Sequence, residues 1–209
     1  MRNKTIFILA ALCLFIVSGL IGYFGPDYVR SSRDRALREA FVPPAMPKLL
    51  LQDFSAQFAN VEAAAEPKYF FDQTMVDLAG KPVRLKQYEG MPVLVNLWAT
   101  WCLPCVTELP SLKKFKDHYA GKMAVLAVAS DATKGPKEIA AFLEKRSVAD
   151  LGGYIDQGGE IPKNMGIRGI PTSFLIGRNG QILYRFEGDV DWMSPHALAF
   201  FDVFLLQNR

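Results

Sequence analysis

The sequence predicts an α/β domain with a central mixed sheet flanked by helices, and three sets of residues carry that expectation. The apolar stretch Val93-Leu94-Val95-Asn96-Leu97-Trp98 leads at once into a helical pattern, and a second apolar stretch, Met123 to Ala129, leads into another. Asn179-Gly180 stands between two further strand-like runs, Thr172 to Ile176 and Ile182 to Phe186, which is the pattern of a hairpin turn. Strand, helix and strand in succession make a right-handed crossover between parallel strands, whereas a hairpin pairs its strands antiparallel. Both together require a mixed sheet.

Taken in order, the chain opens with Arg2 and Lys4 and then runs apolar from Ile6 to Phe24. Those 19 residues span about 28 Å at a helical rise of roughly 1.5 Å each, enough for one transmembrane helix. A cleaved signal peptide has a shorter core of about 7 to 15 residues and a small-x-small exit, for which Ser18 and Gly19 are poor candidates, so residues 1–25 are read as an uncleaved anchor. Cys13 lies within it as a membrane-buried spectator, because Leu12 occupies the place where a lipid-attachment site needs a small residue. Arg30, Arg33, Arg35 and Arg38 outnumber the basic residues before the anchor, but Asp27, Asp34 and Glu39 are mixed among them. The following domain is placed outside the cytoplasm.

Residues 26–66 read as a spacer, with Pro43-Pro44 and Pro47, an alanine patch at 63–65 and Pro67 just beyond. Within it, Arg33 to Phe41 suits a short helix, and Leu49 to Leu51 with Phe54 and Phe58 suit a segment folding back. The α/β domain is assigned to residues 67–209. It begins with a strand-like Tyr69-Phe70-Phe71 and a turn at Ala79 to Pro82, followed by the strand at 93–98. A helix from Cys102 to about Tyr119, the strand at Met123 to Ala129 and a helix from Gly135 to Arg146 come next, the last with Ile139, Phe142 and Leu143 on one face. A loop through Gly152 and Gly159 precedes the hairpin. A closing helix from Ser194 presents Phe200, Phe201, Phe204 and Leu205 as core.

The chemistry concentrates in Trp101-Cys102-Leu103-Pro104-Cys105, at the junction of strand and helix. Of three cysteines only these two lie outside the apolar N-terminus, so each has no other partner. Zinc needs four ligands, and the only histidines, His118 and His196, are in no paired spacing. A structural staple gains little from closing a loop of two residues, which leaves a disulfide that opens and closes. At the start of a helix the amide dipoles stabilise a thiolate and lower the pKa of the first sulfur. Net charge is +3, with lysines and arginines interleaved with acids after residue 67, so no basic stripe points to nucleic acid.

The segment Val93 to Leu109, together with Gly169-Ile170-Pro171-Thr172-Ser173-Phe174 and the hairpin beyond, resembles the thioredoxin fold, and within it the TlpA and ResA family of membrane-anchored periplasmic reductases. The wording is most similar to TlpA. The resemblance implies that Cys102 is an exposed nucleophile that attacks a partner disulfide, and that Cys105 is the buried sulfur that resolves the mixed disulfide. It implies a cis-proline at Pro171 facing the disulfide, and an extended substrate segment pairing with the backbone of Ile170. Pro104 stiffens the first turn, where a missing N–H costs little, and Leu103 replaces the small residue of ordinary thioredoxins, tuning potential and partner fit. Pro110 is expected to kink the helix. Trp98 and Trp101 wall the disulfide, Trp101 as the contact residue.

Glu108 stands one turn after Cys105 and can share its buried side. A partly buried carboxyl has a raised pKa and can take the proton of the resolving thiol; the alternative is a surface acid on a polar face. Thioredoxin's buried aspartate, six residues before the first cysteine, is here Asn96, which does not titrate.

Two function classes are weighed. The first is a thiol-disulfide oxidoreductase, reducing copper-site cysteines of cytochrome oxidase, a copper chaperone or apocytochrome c, and drawing electrons from a membrane thiol reductase of the DsbD or CcdA kind. It needs no cofactor beyond the Cys102/Cys105 pair. The second is a copper-binding assembly module of the Sco type, whose cysteines stand four apart with a distal histidine, a spacing absent here. A peroxidase of the peroxiredoxin kind, which uses a lone reactive cysteine, is weaker still. The motif leaves direction open, since oxidants and reductants share it.

Overall fold

The structure, a computed structural model, describes residues 60–64, 68–71, 73–131 and 133–208. The anchor expected at 6–24 and the spacer before residue 60 lie outside the described residues. Among those described, no helix is long and apolar enough to cross a membrane.

The strands are β1 (Asn60–Ala63), β2 (Thr74–Asp77), β3 (Pro82–Arg84), β4 (Val93–Trp98), β5 (Ala124–Ala129), β6 (Tyr154–Ile155), β7 (Thr172–Ile176) and β8 (Ile182–Glu187). They form one sheet in the order β1-β8-β7-β4-β5-β6-β2-β3. β4, β5 and β6 run parallel, and the remaining neighbours pair antiparallel, so the sheet is mixed as expected. The helices are α1 (Leu103–His118), α2 (Pro136–Lys145), α3 (Glu160–Met165) and α4 (Pro195–Gln207).

β4 is central and buried at every position, which is why its sequence is a near-continuous apolar run rather than an alternation. Val93, Val95 and Leu97 pack with Leu126, Val128, Phe174 and Ile176 against Ile161 and Met165 of α3. The alternate residues turn to the opposite face. There Asn96 meets α1, and the Trp98 ring lies 5.7 Å from Phe142 of α2. On that same face Phe115 and Tyr119 of α1 contact Phe201 of α4, and Phe200 contacts Tyr184 and Phe186 of β8. The expected aromatic stripe of the closing helix is therefore core, with Leu205 half-buried at its edge.

Two expectations change. Tyr69-Phe70-Phe71 is not a strand: Tyr69 makes a single bridge to Gln181, and the chain bends at Phe70, whose buried ring packs on Phe174. Two backbone hydrogen bonds, Phe70 N–H to Gly180 O at 2.9 Å and Ile182 N–H to Lys68 O at 2.8 Å, make that bridge, and the pairing goes no further. Residues 60–63, expected in the spacer, pair with β8 from Asn60↔Glu187 to Ala63↔Tyr184, so the sheet begins before residue 67. The hairpin expected around Asn179-Gly180 is present, closed by Gly177 N–H to Gln181 O at 2.8 Å.

Candidate active site

Cys102 is the N-cap of α1, with extended backbone, and Leu103 and Pro104 form the first turn. Pro104 has no N–H to leave unpaired there, and its fixed φ suits the turn. The Cys105 N–H points at Cys102 Sγ over 3.3 Å, the amide orientation that stabilises a thiolate once the bond opens. Cys102 and Cys105 are joined as a disulfide, their Cα atoms 5.3 Å apart. Cys102 is 5% exposed and Cys105 wholly buried, so the order of access matches the expectation, although Cys102 shows far less surface than "exposed" implies. α1 continues through Pro110 as one helix.

The Ile170–Pro171 bond is cis, and the Ile170 carbonyl oxygen lies 3.6 Å from Cys102 Sγ. The proline loop and the start of α1 thus meet at the disulfide. Trp101 and Leu103 project beside it, 71% and 76% exposed, two of the few large apolar side chains in solvent among the described residues. Ile170 is half-buried.

Beneath the disulfide, Glu108 is 4% exposed. Its Oε1 accepts from Asn96 Nδ2 at 2.7 Å, and its Oε2 accepts from Val190 N–H at 2.9 Å and Trp192 Nε1 at 3.3 Å. Burial pushes its carboxyl up to about 7; the three donors pull the other way, and the charge of Asp189 adds to the rise. Glu108 is therefore no surface acid. It lies one helical turn after Cys105 on α1.

Sequence reasoning singled out Cys102, Cys105, Glu108, Pro171, Trp101, Leu103, Pro104 and Ile170, and the fold brings all eight to this end of the sheet. It missed the rest of the surroundings. Ser173 accepts from Asn96 Nδ2 at 3.0 Å. Val190 and Trp192 reach Glu108 from the loop before α4, more than eighty residues away in sequence, with no local signal to find them. Asp131, 4% exposed, accepts from Thr100 N–H at 2.8 Å and Thr100 Oγ1 at 3.0 Å, and Lys134 Nζ bonds Thr100 Oγ1. That latch holds the segment entering the active site, and an acid placed directly after β5, beside the end of β4, was its one legible sign. Among the described residues no cluster suits a metal ion. His118 stands at the other end of α1 from Cys102, about 24 Å away at 1.5 Å per residue.

Comparison with known proteins agrees with this geometry. Residues 51–199 match the Redoxin family model. The chain belongs to the Redoxin family. It is 32% identical over 140 residues to the thiol-disulfide oxidoreductase ResA of Bacillus cereus, covering 67% of this chain and 78% of the relative. It is 31% identical over 134 residues to the thioredoxin-like protein YneN of Bacillus subtilis, covering 64% and 76%. A crystal structure from Chlorobium tepidum, assigned as a thiol:disulfide interchange protein DsbE, superposes with a TM-score of 0.56 at 28% identity, over 72% of this chain and all of the other. This Redoxin protein is a thiol-disulfide oxidoreductase of the ResA/DsbE type with a thioredoxin-like fold, and its substrates are protein disulfides.

Proposed function

We propose that the protein is a reductant of extracytoplasmic protein disulfides, anchored in the inner membrane by residues 6–24 with its domain in the periplasm. It serves assembly of the cytochrome oxidase copper site or of cytochrome c, as TlpA-like proteins do. The observation that carries the reading is the buried Glu108 under a helix-capping Cys102–Cys105 pair.

In the reduced form the Cys102 thiolate attacks a partner disulfide, forming the Cys102–partner bond and releasing one partner thiolate. Glu108, as carboxylate, takes the proton of the Cys105 thiol. The Cys105 thiolate then attacks Cys102 Sγ, closing the Cys102–Cys105 bond and expelling the second partner thiolate. Two electrons pass from the dithiol to the partner, and Glu108 returns its proton to the released thiolate or to water. Trp101, Leu103, Pro104 and Ile170 hold the partner segment, and Pro171 keeps the loop against the disulfide. A membrane thiol reductase of the DsbD or CcdA kind restores the dithiol; no cofactor takes part. Anchoring raises the effective concentration of the domain at membrane partners.

The deciding experiment is the equilibrium potential of Cys102/Cys105 in glutathione buffers. A value near that of thioredoxin, about −270 mV, is expected, and one near that of DsbA, about −120 mV, would make the protein a disulfide donor and overturn the reading.

A further inference from the structure

Both N–H bonds of the Asn96 amide are occupied, one to Glu108 Oε1 and one to Ser173 Oγ, while its Oδ1 is buried with no partner among the described residues. Asn96 is fully buried and Ser173 is 2% exposed. On the other side of the carboxylate, Oε2 is taken up by Val190 N–H and Trp192 Nε1–H. All of these groups are donors. They suit a carboxylate, and none offers an acceptor to the O–H of a carboxylic acid.

A group that gains and loses a proton in each cycle needs partners for both forms, because a buried O–H with no acceptor is destabilising. Asn96 can supply them. Its amide has nearly the same outline after a half-turn of its broad, two-fold terminal torsion, which exchanges Nδ2 for Oδ1 between Glu108 and Ser173. Ser173, a donor as well as an acceptor, then turns its hydrogen toward Oδ1. In each arrangement one side of the amide lacks a partner: Oδ1 in the form seen here, Nδ2 in the other. An aspartate at position 96 would have no donor face for the anion.

We propose that the Asn96 amide turns over each time Glu108 changes protonation, with Ser173 reversing its hydroxyl, so that both are positioning residues for proton transfer from Cys105. The inference rests on Glu108 being the acid-base group of the proposed cycle. In the step itself the Cys105 S–H bond breaks and a Glu108 O–H bond forms, and no electrons move. The groups bearing on the Glu108 carboxyl are Asn96 on β4, Ser173 on β7 through Asn96, and Asp189, Val190 and Trp192 before α4. Asp189 is the one charged side chain that bears on it among the described residues, and it favours the protonated form.

The test is NMR of the full-length chain labelled at asparagine, titrated through the Glu108 midpoint. Above the midpoint the Asn96 side-chain N–H protons are expected to show contacts to the Ser173 β-protons, and below it to lose them. Glu108→Gln, which carries an N–H where the acid carries O–H, is expected to hold the turned-over form at every pH. Ser173→Ala is expected to raise the midpoint by about one unit, because it strands a buried N–H in the carboxylate form but only removes one of two donors to a carbonyl in the acid form. Asn96–Ser173 contacts that persist through the midpoint and in Glu108→Gln, with an unmoved midpoint in Ser173→Ala, would overturn the turnover and leave the role of Glu108 intact. A midpoint that survives in Glu108→Gln would remove the acid-base reading and this inference with it.

Discussion

Glu108 lives under two opposed forces, and burial wins over three hydrogen-bond donors. Its carboxyl is pushed from the ordinary 4.5 up to about 7, so between those values the folded chain holds a proton that the unfolded chain has released. Stability from this group is therefore whole below pH 4.5, falls as pH rises, and is lost above about 7, a total of roughly 3 kcal/mol at 1.36 per unit. Glu108→Gln removes the titration. Its urea midpoint is expected to change less between pH 5 and pH 8 than that of the unaltered protein, which should weaken by the larger amount. Equal changes in the two proteins would mean that Glu108 ionises in the fold without cost. That this acid faces inward was legible from its spacing to Cys105; that its lock comes from Val190 and Trp192 was not, because contacts between segments far apart in the chain leave no trace in local pattern.

Elements with long, unmixed patterns were legible almost to the residue. β4 was read at 93–98 and found there, and α2 extends over 136–145 with Gly135 and Arg146 as its caps, because an apolar run bounded by breakers leaves little freedom. Short elements were not legible: β6 has two residues, and α3 is six residues held between Gly159 and Gly166 with Pro162 inside it. α3 owes its start to Asp156, whose carboxylate accepts from Glu160 and Ile161 N–H, a tertiary-scale support for a sequence of weak helix preference. The hairpin between β7 and β8 was recognised by Asn179-Gly180, and the structure adds why glycine is needed. Gly180 has φ +85°, and a Cβ there would stand 2.4 Å from Cδ2 of the Phe71 ring. Gly180→Ala combines left-handed strain of about 1–2 kcal/mol with displacement of that ring, for a loss of about 2–4 kcal/mol in thermal or urea unfolding. A loss under half a kcal/mol would mean that Phe71 moves aside freely and does not help fix the turn.

At the scale of the molecule, the domain is larger than its redox motif suggests, because β1 adds an edge strand drawn from a segment that composition marks as spacer. Prolines and alanines on either side concealed four residues whose backbone pairs along β8, with Ala64 N–H extending the ladder to Leu183 O at 2.9 Å. The Redoxin match beginning at residue 51 agrees with that earlier boundary. A fragment starting at residue 67 would strip β8 of this partner and leave its N–H and C=O groups as an open edge. At about 0.5–1.5 kcal/mol for each backbone bond lost, the penalty is on the order of 2 kcal/mol, which for a domain of this size lowers Tm by roughly 5 °C. A fragment starting at residue 51 should keep the full ladder. Since β8 lies two strands from β4, both fragments should return the same Cys102/Cys105 potential, separating a stability effect from a chemical one. Equal melting temperatures and equal solubility for the two fragments would show that β1 rests on the sheet without supporting it.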